Sequence, residues 1–163
     1  MPFLLQINIS PGGLPKRPVT HAVLTPLGLE GDGHDHPQFH GGAEKAVLLI
    51  AAEVVDELKA RGYPVYYGAL GENFTTRDLA FRDLRIGDTL RVGGTIVEIT
   101  KVRVPCATLD VYGPSIKSEI YDRAVKNLDP TSPRWGWSGF YCAVRTPGPV
   151  GTGDAIEVLA QMA

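Results

Sequence analysis

Residues 88–106 read DTLRVGGTIVEITKVRVPC, and their reading decides the fold class. Two runs rich in β-branched residues, DTLRV (88–92) and TIVEITKVRV (95–104), flank Gly93-Gly94, where glycine readily supplies the positive φ angles of a tight turn. The pattern predicts neighbouring strands. Pro105 then fixes its own φ and biases Val104 toward extended backbone, so the second strand ends in a defined direction with Cys106 just beyond it.

Working outward, the same logic predicts strands at FLLQINI (3–9), THAVLT (20–25), AVLLI (46–50), GFYCAV (139–144) and AIEVLA (155–160). Gly87-Asp88 and Gly153-Asp154 punctuate these runs as turn signals. Two helices are expected. In 51–61, AAEVVDELKAR, Ala51, Val54, Val55 and Leu58 share one side, with Gly62 and Pro64 as stop signals. In 115–127, SIKSEIYDRAVKN, Ser115 reads as the N-cap and Ile116, Ile120, Tyr121 and Ala124 as the inward face. Few intervals between strands could hold a crossover helix. The fold class is therefore mainly β with a few helices, a β-rich α+β chain, with a closed or half-closed and mainly antiparallel barrel favoured over a parallel sheet. Without a linker or an internal repeat, residues 1–163 read as one domain.

Composition narrows the function classes. A net charge of −2 gives no general attraction for nucleic-acid backbones or anionic membranes, so neither is expected as a partner. The start MPFLLQINISPGG has no basic leader, and no segment approaches the roughly 18 apolar residues of a spanning helix. A cytoplasmic protein is expected. Cys106 and Cys142 form no CxxC pair and are too few for a disulfide framework.

Four segments could carry chemistry. Arg103 lies three residues before Cys106, and positive charge near a thiol favours the thiolate, the form that attacks electrophiles or binds metals. A buried structural role is the alternative for Cys106, and it suits Cys142, inside GFYCAV, better. The segment GDGHDHPQFHGGAEK (31–45) gathers three of the four histidines. His34, Asp35, His36 and His40 have the donor types of a zinc or iron site, or they belong to a plain exposed loop. Gly41-Gly42 would let a ligand approach backbone N–H groups, with Lys45 nearby to meet an anion such as phosphate, or would serve turn geometry alone. In LGENFTT (70–76), Glu72 and Asn73 would point into a cleft at a strand end or cap a turn, while Trp135 and Trp137 would wall a pocket for a planar ring or cover a barrel end.

Taken in order, GLEGDGHDHPQFHGGAEKAV (28–47), LGENFTTRDL (70–79), LRIGDTLRVGGTIVEITKVRVPCATL (84–109) and SGFYCAVRTPGPVGTGDAIEV (138–158) resemble the MOSC family, named after the C-terminal domain of molybdenum cofactor sulfurase. The resemblance runs from about Pro15 to Val158. It implies a barrel-like β-rich fold, and it maps the family's single cysteine, in an Arg-x-Pro-Cys type motif, onto Cys106 as the residue that contacts molybdenum or the sulfur bound for it. It further implies that His40, Gly41, Gly42, Lys45, Glu72, Asn73, Arg103 and Lys16 hold the molybdenum cofactor, a molybdopterin, with Arg17 competing with Lys16 in GGLPKRPV (12–19). No chemistry is carried onto Cys142.

The function that the resemblance implies is that of stand-alone bacterial MOSC proteins, which reduce small N-hydroxylated compounds such as hydroxylaminopurines and amidoximes to amines. A histidine or carboxylate from 32–40, or Glu72, would deliver a proton. The chain has no flavin or iron–sulfur motif, so electrons would come from a separate donor reductase. One alternative is a sulfur carrier that takes a persulfide on Cys106 from a cysteine desulfurase. Another is a non-catalytic ligand-binding module.

Overall fold

In the computed structural model, residues 1–33 and 42–160 are described. Eleven strands follow in chain order: β1 (Phe3–Ile9), β2 (Arg17–Val19), β3 (His21–Thr25), β4 (Gly28–Leu29), β5 (Val47–Ala51), β6 (Phe74–Arg77), β7 (Thr89–Val92), β8 (Thr95–Val102), β9 (Phe140–Thr146), β10 (Gly148–Gly151) and β11 (Ile156–Ala160). Helix α1 (Ala52–Ala60) follows β5 directly, and α2 (Ile116–Ile120) and α3 (Arg123–Lys126) lie between β8 and β9. The strands form an eight-stranded sheet, in the order β11-β7-β8-β9-β5-β6-β1-β2, and a three-stranded sheet, β10-β3-β4.

The β7–β8 hairpin turns at Gly93-Gly94 with Val92 opposite Thr95, and the Thr95 hydroxyl closes the turn by donating to the Val92 carbonyl at 2.7 Å. Along β8, Thr95, Val97 and Ile99 are buried and Ile96, Glu98 and Thr100 are not, the period of two of a strand with one face in a core. β5 differs. All five of its residues are buried, because it lies mid-sheet between β9 and β6 under α1. Phe74, Phe140, Leu49, Ile50 and Ile99, all fully buried, anchor the core around it. Each large side chain of this kind contributes about 1.5–3 kcal/mol through burial.

The β-rich class holds, with two corrections to the antiparallel barrel. β5 and β6 pair in parallel, Leu49 opposite Phe74, because the amphipathic stretch expected as a helix is α1 and acts as the crossover between them. The ladder also does not close into a barrel. One bridge, Phe3 to Ala155, and backbone bonds from Leu4 to Asp154, Gly153 to Leu4 and Ile156 to Pro2 stitch β1 to the approach of β11, while β2 stays at the edge.

The other departures are local. Strands β2, β4, β6 and β10 are each two to four residues long and carry glycine, proline or too few apolar residues for a pattern to emerge. Pro18 is tolerated in β2 because an edge strand can spare an N–H. The helix expected over 115–127 is two, since Tyr121 is extended and Asp122 starts α3 afresh by accepting the Val125 N–H at 2.8 Å. Ser115 makes no cap bond; its hydroxyl pairs with Tyr63 instead. Among the described residues, no helix is long and apolar enough to cross a membrane.

Candidate functional site

Strand β8 ends at Val102, and the next three residues deliver the thiol. Arg103 is pinned to the start of β9: its N–H donates to Gly139 O at 3.0 Å and its carbonyl accepts the Ser138 hydroxyl at 2.6 Å. Its guanidinium is turned inward, 4% exposed, donating to Leu70 O at 2.8 Å and Ser138 O at 3.4 Å. Beyond Pro105, Cys106 is half-buried and precedes a 3-10 turn at Ala107–Tyr112. The Thr108 hydroxyl lies 2.7 Å from Cys106 Sγ, placed to donate to a thiolate. Partial burial pushes the thiol up, but the Thr108 hydroxyl and backbone N–H and the Arg103 charge together outweigh it and hold the pKa below the ordinary thiol value. Cys142 is the opposite case, fully buried in β9, its thiol pushed well up by desolvation.

Tyr141 joins the site from β9. Burial raises its phenol, the Arg103 charge opposes that rise and the Cys106 thiolate adds to it, so all three groups lie within electrostatic reach of one another. Lys45 Nζ sits 5.2 Å from the centre of the Tyr141 ring, a cation–π distance. The Lys45 turn is tied to β8 because the Thr100 hydroxyl donates to both Glu44 O and Tyr141 O. Gly42 opens that turn at φ 84°, and among the described residues no atom lies within 4 Å of where a Cβ would stand, which suits close approach of a ligand to its backbone. Cys106, Arg103, Tyr141 and Lys45 thus gather around the ends of β8 and β9.

Three more of the expected residues, Lys16, Glu72 and Asn73, lie inside the protein. Lys16 Nζ pairs with Asp32 Oδ1 at 2.6 Å, the two side chains 7% and 3% exposed. Asp32 also accepts the Ser10 N–H at 3.0 Å and the Asn73 amide at 2.9 Å. Asn73 accepts the Leu48 N–H at 3.0 Å, so it ties β5, the start of β6 and the Asp32 stem together. Glu72 is fully buried; its Oε2 accepts from Gly68 N–H and the Thr75 hydroxyl at 3.0 and 2.9 Å, and its Oε1 has no hydrogen-bond partner among the described residues. Burial drives its pKa up, against the pull of those donors and of Arg103. His34, Asp35, His36, His40 and Gly41 lie outside the described residues. Among the described residues, no group of three or more His, Cys, Asp or Glu side chains is placed to hold a metal ion.

Sequence reasoning missed Tyr141 and Thr108, and it counted Asp32 only among the carboxylates of 32–40. The alternation in GFYCAV, which sends Phe140 and Cys142 inward, was the available signal for Tyr141; Thr108 carried none.

The order of these parts along the chain can be set against known proteins. The family model of the MOSC domain matches residues 36–157. This chain belongs to the MOSC domain family. It is 32% identical over 154 residues to the uncharacterized protein YflK of Bacillus subtilis, the alignment covering 91% of this chain and 64% of YflK. A protein of Gibberella moniliformis named Reductase is 29% identical over 137 residues, 81% of this chain but 22% of that one. The MOSC chain here therefore spans less than two thirds of either relative. Among solved structures, that of YiiM from Geobacillus stearothermophilus superposes with a TM-score of 0.73 at 22% identity, covering 98% of this chain and 76% of that one, a likeness of fold.

Proposed function

We propose that this MOSC protein binds the molybdenum cofactor against Cys106 and reduces small N-hydroxylated compounds to amines. The observation that carries the reading is the half-buried Cys106 at a rigid strand end, its thiol held toward the thiolate by Thr108 and Arg103. A thiolate is a soft donor suited to a thiophilic metal, and the cations beside it suit the anionic pterin phosphate, so the donor set fits the group. When bound, the cofactor supplies the two-electron chemistry that R–NHOH + 2 e⁻ + 2 H⁺ → R–NH₂ + H₂O requires. The electrons come from a separate electron-donor protein; the reductive direction itself fits the name Reductase of one longer relative.

The chain's own residues then divide the work. Cys106 grips the metal, and Pro105 with the Arg103 backbone bonds keeps its sulfur stationary. Lys45 and the open backbone at Gly42 face the phosphate. Lys16, Asn73 and Glu72 act indirectly, holding β1, β5 and the Asp32 stem in register rather than touching ligand. Tyr141, whose phenol stays protonated and lies within electrostatic reach of the thiol, would deliver the proton. Asp32 is occupied by three bonds and Glu72 is sealed from solvent, which leaves neither free to deliver a proton.

The test is metal and pterin analysis of protein from a cofactor-producing host, with turnover of a model amidoxime by a chemical reductant. Cys106→Ser is expected to lose molybdenum and at least about 100-fold in rate, as befits loss of a metal ligand, while Cys142→Ala keeps both. Equal loss in the two variants would overturn the assignment. A persulfide on Cys106 without metal would instead support the sulfur-carrier reading.

A further inference from the structure

Trp135 and Trp137 take no part in the thiol site. They wall a separate cleft of about 330 Å³ between the start of α1, the 78–82 loop and the 132–137 loop. We infer that this cleft is a second ligand site, for a neutral nitrogen heterocycle of one or two fused rings.

The walls argue for a flat ring. Phe81, Leu79 and Val54 line the cleft together with the two indoles, and its volume is at the low end of the range of small-molecule pockets, about 300–1,000 Å³. These walls are rigid. Trp135 donates its indole N–H to Leu84 O at 2.9 Å and packs on Phe140, and the Trp137 ring is covered by Arg134 at 4.4 Å and Arg61 at 5.6 Å. Gly136 lets the loop lie directly on Phe81, where an added Cβ would stand 2.9 Å from Phe81 Cβ. Aromatic walls held this way lose little entropy when a ring slides between them.

The lining also carries charge that chooses among rings. Glu53, Asp78 and Arg82 line the cleft, two carboxylates and one guanidinium. Glu53 is engaged by the Asp78 N–H at 2.9 Å and lies 3.9 Å from Arg77. The Asp78 carboxylate and the Arg82 guanidinium are exposed and have no hydrogen-bond or ion-pair partner among the described residues. A net negative lining disfavours anions. Adjacent acceptors and donors instead match the edge of a heterocycle, whose exocyclic N–H groups donate and whose ring nitrogens or carbonyl accept. The cleft is not the reacting pocket, since Cys106, Arg103 and Lys45 do not line it. Its lining shares no residue with the thiol site, so the inference stands without the molybdenum reading.

The test is a titration of the full chain with adenine, a neutral two-ring heterocycle, following emission from the chain's 2 tryptophans excited beyond adenine's absorption. Saturable quenching with a Kd on the order of 1 mM is expected, unchanged in Cys106→Ala and weaker for benzoate. Ala80→Phe, which fills the cleft from an exposed position, should weaken binding at least about tenfold with unchanged Tm. Should that variant not fold, Asp78→Asn keeps the left-handed backbone at φ 65° that asparagine tolerates and should weaken adenine about threefold. Absence of saturation, equal affinity in the folded variant, or benzoate binding as tightly as adenine would overturn the inference.

Discussion

Thr108 and Arg103 decide the ionisation of Cys106, and each leaves a measurable trace. Thr108 is exposed, so Thr108→Val removes the 2.7 Å contact to Sγ at little cost to the fold. Its loss removes a hydrogen-bond donor that lowers the thiol pKa. The pH midpoint for alkylation of Cys106 by iodoacetamide in metal-free protein should therefore move upward, and the rate at neutral pH should fall severalfold. An unchanged midpoint would show that Thr108 does not stabilise the thiolate. Glu72 gives a stability readout of opposite sense to an ordinary paired carboxylate. Its folded pKa lies above the unfolded value, so the native state binds more protons between the two and stability falls as pH rises from the unfolded glutamate range upward. Glu72→Gln stays neutral throughout and keeps an oxygen for Gly68 and Thr75. Urea unfolding between pH 4 and 8 should give the variant the flatter profile, its advantage growing toward neutral pH; parallel profiles would refute the assignment. Cys106 was legible at this scale because Pro105 and the strand before it are local signals. Glu72 and Asn73 were legible as a motif, but their inward direction was not, since LGENFTT carries no mark of which neighbour will cover it.

Among the elements, α3 depends on Asp122 more than on its own four residues. That side chain accepts the Val125 N–H at 2.8 Å and the Ser132 hydroxyl at 2.7 Å, joining the helix start to the loop that walls the tryptophan cleft. The Ser132 bond, then the Val125 N–H, hold the Asp122 carboxyl below its usual range. The sign runs opposite to that of Glu72: the stabilisation is present above the unfolded pKa and is lost as pH falls through the folded one. Asp122→Ala should lower Tm at neutral pH, and its deficit relative to wild type should shrink on acidification, as thermal melts at pH 7 and pH 3 would reveal. A deficit that persists at low pH would point to packing instead of the carboxylate. The break between α2 and α3 was hidden in the sequence because the apolar spacing of SIKSEIYDRAVKN suits one continuous helix. Asp122 accepts a cap bond only where Ser132, ten residues on, draws it out of the helix.

Across the molecule, the Lys16–Asp32 pair links the β1–β2 connection to the stem after β4, and through Asn73 it reaches β5 and β6. Both charges are buried, so removing one partner strands the other in a poor dielectric. Asp32→Asn should cost about 3–5 kcal/mol in urea unfolding, whereas replacing the exposed Glu157, paired with Arg91 at 3.6 Å, should cost less than about 1 kcal/mol. Comparable costs would mean that the Lys16–Asp32 pair is solvated in solution.

Where the long strands and α1 form, that Gly93-Gly94 turns a hairpin, and that a thiol is presented just after Pro105 are all legible in the chain alone. These features rest on backbone preferences acting over a few residues, β-branching, glycine at positive φ and proline's fixed ring, which any reader of the chain can apply. That β5 and β6 run parallel, that β2, β4 and β10 pair at all, and that Lys16 and Glu72 turn inward follow from long-range packing instead. The same holds for the partnership of Tyr141 with Cys106 and for the two tryptophans walling a cleft of their own. Those outcomes depend on neighbours tens of residues away along the chain, whose approach is set by the burial of the whole core and by where buried polar groups find partners.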